Sequence, residues 1–538
     1  MRALLAATAT LAALVLPSAA GAATFGPCPS DLAGFGLRCT TVRVPLDRTG
    51  AVPGTIDVFV ARAAATGRSR GTLVLLAGGP GDGSSWMFTA RRHLDDFAAA
   101  RRTHDLLIVD GRGTGHSGAL TCVGAAACAQ ALGPAATHYT TADVAEDLEA
   151  VRAELGIERW SLYGISYGTH EAQTYARRHP DRVERLVLDS VVDARNLAQP
   201  FLTYSAAALP RALRATSRHL FSDYVRLVDR LERRPGGITP LDVAAVTGES
   251  DVNADLRAEL PAAVDAALRR DYAPLRRLAA VAALDVPARP EQNSPGRFVA
   301  GACSEQAVPW DPATPPEQRL AEADRRAALL PADALFPFDR GLAVAGSRAL
   351  LCLAWPVTPA PAADPGPLPD VPALLLQGDA DLRTPLAGAR HVAAGLPHAQ
   401  LVVVRGAGHN VLRESGSACP ARLLGAFMAG APLPACRAVS RLRIAPRFPT
   451  SARALTPRAI ARATVADTLR QVAMRRDHQR GLVDRQRFAG LRGGTVLAAR
   501  GRVRLRGVEY VDGAAVTGTV DERGRGVVRV RAVRVRLA

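Results

Sequence analysis

Gly164-Ile165-Ser166-Tyr167-Gly168 is a G-x-S-x-G run between an apolar stretch, Trp160–Tyr163, and a stretch of helical composition, Thr169–Arg178. A serine hydroxyl is a weak nucleophile near neutral pH and needs a base within hydrogen-bond reach. A sharp strand-to-helix turn would lift Ser166 above a sheet at a helix N-terminus, where developing negative charge is favoured. The flanking glycines remove side-chain carbons for which so tight a turn has no room. An ordinary structural turn can carry the same five residues. The strand before the run and the helix after it select the nucleophilic reading.

Such a serine needs an acid and then a histidine further along the chain. Gln377-Gly378-Asp379-Ala380-Asp381 follows the apolar run Val371–Leu376, and Gly406-Ala407-Gly408-His409-Asn410 follows Leu401–Val404. Asp381 is the expected orienter of the imidazole, with Asp379 as its rival and a turn as the plainer role for Asp379. Thr384-Pro385 is expected to open the next helix, with Thr384 as its cap. His409 is the expected base, taking the Ser166 proton and returning it to the leaving group. His104, His116, His170, His179 and His398 lack this strand-end placement and read as surface or core.

A tetrahedral oxyanion needs two backbone N–H donors. Tyr167 supplies one by position. Ala77-Gly78-Gly79-Pro80-Gly81, after the apolar Thr72–Leu76, offers the other, and Gly79 is the expected donor. A phosphate-binding loop would end in Gly-Lys-Ser/Thr, which is absent here. Asp110-Gly111-Arg112-Gly113-Thr114-Gly115 has too short a turn for a dinucleotide fingerprint. No C-x-x-C pair suggests a metal or redox centre, and no cofactor or metal is expected.

These residues need a scaffold of buried strands. Thr55–Ala61, Thr72–Leu76, Asp105–Asp110, Trp160–Tyr163, Val183–Leu188, Val371–Leu376 and Leu401–Val404 read as strands, and Thr141–Leu155 as a helix. Apolar strands separated by helices indicate an α/β fold with a parallel sheet. Ligands in such sheets sit at the carboxyl ends of the strands, where every motif above falls. From about Ala194 to Pro365 the alternation stops and helical patterns dominate, as in Tyr224–Leu231 and Leu256–Leu268. That length is too great for a loop and reads as a mainly helical cap over the site. Pro356–Pro372 returns the chain to the sheet.

Taken in order, the motifs resemble the secreted α/β-hydrolase family of proline iminopeptidases and bacterial tripeptidyl aminopeptidases. The family's H-G-G-P-G, D-x-R-G-x-G-x-S, G-x-S-Y-G, G-x-x-D-x-x-T-P and G-x-G-H segments read here as Ala77–Gly81, Asp110–Ser117, Gly164–Gly168, Gly378–Pro385 and Gly406–His409. The resemblance spans roughly Thr40 to Cys436. It implies an α/β-hydrolase fold and release of residues or short peptides from a free N-terminus, with a cap that recognises the α-ammonium. Ala77 stands where the family has His, and Gly111 where it more usually has Gln. Glu305, in Cys303-Ser304-Glu305 of the cap, is similar in placement to an acidic position of tripeptidyl aminopeptidase-like caps. A carboxylate there would pair with the substrate amine; a solvated surface Glu is the plainer reading.

The charge lies almost wholly in the tail. The chain has 538 residues, 67 basic residues (all Arg) and 50 acids, a net of +17. Residues 437–538 hold 24 Arg against 7 acids, and the other 43 Arg are matched by 43 acids. The bulk is therefore no nucleic-acid binder by charge. In the tail, Pro446–Pro457 reads as a linker, a helix follows Thr456-Pro457 to about Met474, and residues from Gly494 alternate as strands with one Arg-rich face. That pattern reads as a small β-rich C-terminal domain. It either adheres to an acidic envelope polymer or anionic lipid, or simply solvates a docked accessory domain. No aromatic interleaving supports nucleic acid.

Arg2, the short apolar Ala3–Pro17 and Ala20-Gly21-Ala22 read as a cleaved export signal, with an uncleaved anchor as the alternative. Eight cysteines suit export. Local closure, Cys28–Cys39, Cys122–Cys128, Cys303–Cys352 and Cys419–Cys436, is the expected pairing, with free thiols as the alternative. The organisation expected is a signal peptide (1–22), a first core part (23–193), a helical cap (194–365), a second core part (366–436) and the Arg-rich tail (437–538). The function expected is an extracytoplasmic serine peptidase acting on peptides with a free N-terminus. A carboxylesterase or lipase with the same three residues, and a non-catalytic binding module, are the competing readings.

Overall fold

The computed structural model describes residues 23–234, 237–285, 289–356, 366–449, 451–453, 455–479, 481 and 483–537. The expected export signal, and part of the Pro-rich return, lie outside the described residues.

Eight strands form the central sheet: β1 (Arg38–Pro45), β2 (Thr55–Ala63), β3 (Thr72–Leu76), β4 (Asp105–Val109), β5 (Trp160–Ile165), β6 (Val183–Asp189), β7 (Ala373–Gly378) and β8 (Ala399–Val404). Their order is β1-β2-β4-β3-β5-β6-β7-β8. β1, β2 and β4 pair antiparallel, and β4 to β8 run parallel through β3, β5, β6 and β7. Successive residues of β3 enter different cores: Leu73 and Leu75 pack on one face, Val74 and Leu76 on the other. Both faces are dry, which is why these strands are continuously apolar rather than alternating. Each such side chain contributes about 1.5–3 kcal/mol by leaving water.

β1 escapes a search for apolar runs because it is an edge strand, RCTTVRVP, with an exposed Arg or Thr between buried Cys39, Val42 and Val44. β7 starts at Ala373, two residues after the expected Val371. Pro372 has no N–H for a ladder, and its carbonyl instead accepts Leu186 N–H at 3.0 Å. No helix among the described residues is long and apolar enough to cross a membrane.

The insertion after β6 divides between two cores. Helices from Thr203 to Ala282 join the tail, and helices from Pro295 to Cys352 pack with Ala125, Cys128 and Tyr139. The tail is the helix Pro457–His478 followed by β9 (Arg485–Ala489), β10 (Gly493–Ala499), β11 (Arg502–Glu509), β12 (Ala515–Asp521), β13 (Gly526–Val530) and β14 (Val533–Leu537). They form an antiparallel sheet in sequence order. The change of alternation at Ala532/Val533 is a two-residue turn between β13 and β14, whose Val530 and Val533 face each other.

The tail does not bury a core of its own. Its Val465, Val472, Val503, Leu505 and Val528 belong to one cluster with Leu227, Leu256, Leu260 and Leu278 of the insertion. Buried Arg277 bonds Asp467 at 2.8 and 3.0 Å and Glu259 at 3.1 Å, and Gln471 donates to Glu259. The expected linker is tied down too, with Phe448 buried over Arg277 and Ala445 N–H donating to Ala258 O at 2.9 Å. Disulfides join Cys28 to Cys39, Cys122 to Cys128, Cys303 to Cys352 and Cys419 to Cys436.

Candidate active site

Ser166 stands between the end of β5 at Ile165 and the helix Tyr167–Arg178, with φ 54° and ψ −123°. That is a strained conformation for a residue with a side chain. It is held by Ser166 N–H to Asp189 O at 2.9 Å, and by Thr169 N and Oγ1 donating to Ser166 O at 2.9 and 2.6 Å. The glycines at 164 and 168 are steric necessities. A Cβ at 164 would lie 2.3 Å from Gly168 O, and one at 168 would lie 2.4 Å from Ala77 O.

The loop Ala77–Gly81 leans on the serine. A Cβ at Gly78 would stand 3.0 Å from Ser166 Cβ and 3.5 Å from its Oγ. Gly79, at φ +116°, turns the chain so that a Cβ there would meet Gly81 N at 2.5 Å. Ala77, where the resembling family has His, is fixed by its N–H donating to Ser84 Oγ at 3.0 Å. Buried Asp110 holds the next residue by Ser85 N and Oγ, both at 2.7 Å. From the insertion, Ser294 N–H bonds Gly81 O at 2.8 Å and Asn293 Nδ2 donates to Asp82 at 2.6 Å. Tyr167 is the first residue of its helix, where backbone N–H groups have no intrahelical acceptor.

Asp381 and His409 meet at the carboxyl ends of the neighbouring β7 and β8, with Nδ1 to Oδ2 at 2.9 Å. Asp381 also accepts Thr384 N at 2.9 Å, Arg383 N at 3.0 Å, Thr384 Oγ1 at 2.8 Å and Gln377 Nε2 at 3.1 Å. Burial raises its pKa, but the ring of His409 and these donors outweigh burial and hold it below the usual carboxylate value. Burial lowers that of His409, and Asp381, followed by Asp251, outweighs burial and raises it above 6.5. Asp379 accepts Gly406 N at 2.7 Å and so ties the two loops together. No hydrogen bond joins Ser166 Oγ to the His409 ring in this structure.

Thr384 is not a helix cap. Pro385 is extended, the helix begins at Leu386, and no side chain caps it. The Thr384 hydroxyl is engaged by Asp381 and lies 3.3 Å from His409 Nδ1.

Three residues that the motifs do not name hold the two loops. Asp189, ending β6, accepts Val411 N and Leu412 N at 2.8 Å, while its carbonyl holds Ser166 N–H. Ser190 Oγ accepts Asn410 N at 2.8 Å. Asp251, fully buried in the insertion, accepts His409 N–H on its carbonyl at 2.8 Å. Its carboxylate takes Arg383 N and Nε, both at 3.0 Å, and Leu382 N at 3.2 Å. A polar residue closing the apolar β6 was a signal for Asp189. Nothing in the sequence connects Asp251 to residues more than a hundred positions later.

Glu305 ends the helix Pro295–Glu305 and rests on the residue after Ser166. It accepts Thr141 N at 2.7 Å, Thr141 Oγ1 at 3.1 Å and Tyr167 OH at 2.8 Å. Burial raises its pKa against the opposing effect of Arg297. Glu171 lies 4.0 Å from Arg297, and burial pushes its pKa up to about 7. Glu171 and Arg297 line a small polar cavity with Ala77, Gly78 and Ser84.

A Streptomyces lividans protein named "Tripeptidyl aminopeptidase" is 31% identical over 192 residues, 29% of this chain and 36% of its own length. A Streptomyces coelicolor protein named "Probable proline iminopeptidase" is 35% identical over 130 residues, 24% of this chain and 36% of its own. The chain therefore matches only about a third of the length of these curated relatives. A solved serine hydrolase from Cycloclasticus zankles covers 73% of this chain and 98% of its own, at 15% identity and a TM-score of 0.36, too loose a superposition to argue from. The model of the alpha/beta hydrolase fold matches residues 71–415, more than half of the chain and all of the strand ends that carry Ser166, Asp381, His409 and the Ala77–Gly81 loop. By that match and by the mixed sheet with its carboxyl-end loops, the chain belongs to the α/β-hydrolase fold family.

Proposed function

We propose that the chain is a secreted serine hydrolase that removes residues or short peptides from free N-termini through an acyl-enzyme on Ser166. The observation that carries the chemistry is the buried Asp381–His409 pair, 2.9 Å apart, following an elbow serine in the order such enzymes use. Ser166 Oγ attacks the substrate carbonyl as His409 takes its proton. The N–H groups of Gly79 and Tyr167 receive the oxyanion. Asp381 stabilises the imidazolium, which then protonates the leaving amine. Water, deprotonated by His409, releases the acyl group.

The names of the matched relatives and the placement of Glu305 support a peptide substrate. Glu305 puts a carboxylate against the residue that follows the nucleophile, where it can receive the substrate ammonium. Four disulfides among the described residues support an oxidising, extracytoplasmic setting. In this reading the basic C-terminal sheet meets an acidic envelope polymer or an anionic lipid.

The test is an assay of the purified chain beside Ser166→Ala on chromogenic peptide amides, free or blocked at the N-terminus, and on short acyl esters. Serine-dependent cleavage of free-amine peptides with blocked ones spared is expected. Ester cleavage without amide turnover would overturn the peptidase reading in favour of an esterase. Failure of a fluorescent organophosphonate to label Ser166 would overturn the hydrolase mechanism. Glu305→Gln is expected to narrow the preference for free over blocked peptides; an unchanged ratio would remove Glu305 from substrate recognition.

A further inference from the structure

The C-terminal sheet has one buried and one exposed face, and the exposed face is a grid of arginines. Side chains alternate along β11: Val503 and Leu505 are buried, while Arg502, Arg504 and Arg506 are exposed. The register extends this pattern across the sheet. Leu497 lies between Arg487 and Arg504, and Arg504 faces Thr519, which faces Val527, which faces Arg536. A parallel row runs Arg485, Ala499, Arg502, Asp521. On the far side Arg529 stands directly opposite Arg534.

Two features mark this face. Several exposed arginines elsewhere pair with acids on their own helices, as Arg226 does with Asp223, Arg233 with Asp229 and Arg325 with Glu322. Among the described residues no carboxylate pairs with any arginine of the grid, and the one acid within its rows, Asp521, is held by Arg525 at 2.9 Å. Like charges placed directly opposite one another destabilise a sheet. Arg529 and Arg534, which face each other, therefore cost folding stability, and an external anion would offset that cost.

We infer that the exposed face of β9–β14 binds a linear polyanion bearing repeated phosphodiester or carboxylate groups, through the unpaired arginines of β9, β11, β13 and β14. Neighbouring strands lie about 4.8 Å apart, and outward side chains on one strand recur about every 6.8 Å. Guanidinium groups at such intervals can each bind a separate anion, bidentately, along an extended chain. The rows described carry no aromatic side chain, and their large apolar ones, Leu497 and Val527, are half-buried among the arginines, a poor anchor for an interfacial element in lipid. The face lacks the stacking platform that single-stranded bases use as well. Charge on a polymer backbone is what it can read.

This rests on the partner half of the proposed function and is independent of Ser166, so either can fail with the other intact. The test measures binding of the full chain to poly(glycerol phosphate), to polygalacturonate and to phosphatidylglycerol-rich vesicles over a range of salt. Binding to one or both polymers that weakens steeply with salt is expected, and which polymer binds assigns phosphodiester or carboxylate. The triple variant Arg502→Ser, Arg504→Ser, Arg506→Ser is expected to lose at least about 10-fold in affinity at low salt, with a salt slope shallower by about 2. Its Tm and its turnover of short peptides should not fall. Arg226→Ser with Arg233→Ser, removing paired surface arginines, should bind as the parent does. No binding of either polymer at low salt, binding of vesicles alone, or undiminished binding by the triple variant would each overturn the inference.

Discussion

Both sides of the candidate site are closed by glycines, but only one of them adds a lattice of polar side chains. Around Ser166 the backbone itself is the constraint: at Gly164, Gly168 and Gly79 there is no space for one more carbon. Around Asp381 and His409 the glycines are as tight, a Cβ at Gly378 meeting Gly408 O at 2.2 Å and one at Gly408 meeting Asp251 O at 2.1 Å, but a lattice of polar side chains is added, with Thr384, Gln377, Asp189 and Asp251 each contributing one to four hydrogen bonds. Steric exclusion fails all at once, because backbone atoms have nowhere to go. A shared lattice degrades in steps, because remaining partners retain much of the geometry. Substitution at the glycines should therefore act as a threshold on either side, and substitution in the lattice around Asp381 and His409 as a gradient.

Gly168→Ala gives the largest effect. The new methyl would overlap the carbonyls of Leu76 and Ala77, at 2.5 and 2.4 Å. Displacing the elbow by about 1 Å should cost about 100-fold in kcat/KM, and thermal denaturation should report lost stability. Near-parental activity in Gly168→Ala would break the claim that this side is sterically fixed.

Asp251→Asn should fall in the middle, at about a 10-fold loss in kcat, since the backbone carbonyl that receives His409 N–H remains. The pH profile separates charge from structure. His409 acts as a base only when neutral, so kcat/KM falls with acidity through its pKa, which stands above 6.5. Asp251 helps raise that pKa, together with Asp381 and against Arg383. Arg383, Glu249, Asp381 and Arg257 are the other charges facing Asp251. Removing its charge exposes His409 to Arg383 less compensated, and the acid limb should move to lower pH. An unmoved limb would make Asp251 a purely structural contact.

Thr384→Val should be the mildest, at roughly a fewfold loss in kcat, because Asp381 keeps two backbone donors. A loss as large as that of Gly168→Ala would break the gradient.

The same division decides what the sequence makes legible. Glycines at contact points are local and leave a motif, so the strand ends bearing Ser166, Asp381 and His409 can be placed from spacing alone. Polar partners leave none, because Asp251 reaches Arg383 and His409 only through the packing of the insertion. Thr384 was misread for a related reason: Thr-Pro before an apolar run has the composition of a helix cap, while the carboxylate that takes its hydroxyl lies on the other side of it in sequence. The tail's strands are legible by alternation. Its docking is not, since buried Val and Leu look the same whether they meet their own helix or the helices near residues 220–280. The tail's Asn253 contact, a donation from Nδ2 to Met474 O at 3.1 Å, shows how near that docking comes to Asp251.

Each of the four disulfides joins a cysteine to the next cysteine in the chain. A polypeptide emerging from its N-terminus can thus close every bridge with the first partner to arrive, and no correct bridge ever has to be reopened to admit a later one. Oxidation can keep pace with emergence and finish when Cys436 appears, with the whole Arg-rich tail still to come. Where oxidation keeps pace with emergence, this connectivity leaves less for a shuffling isomerase to correct than a crossed pattern would.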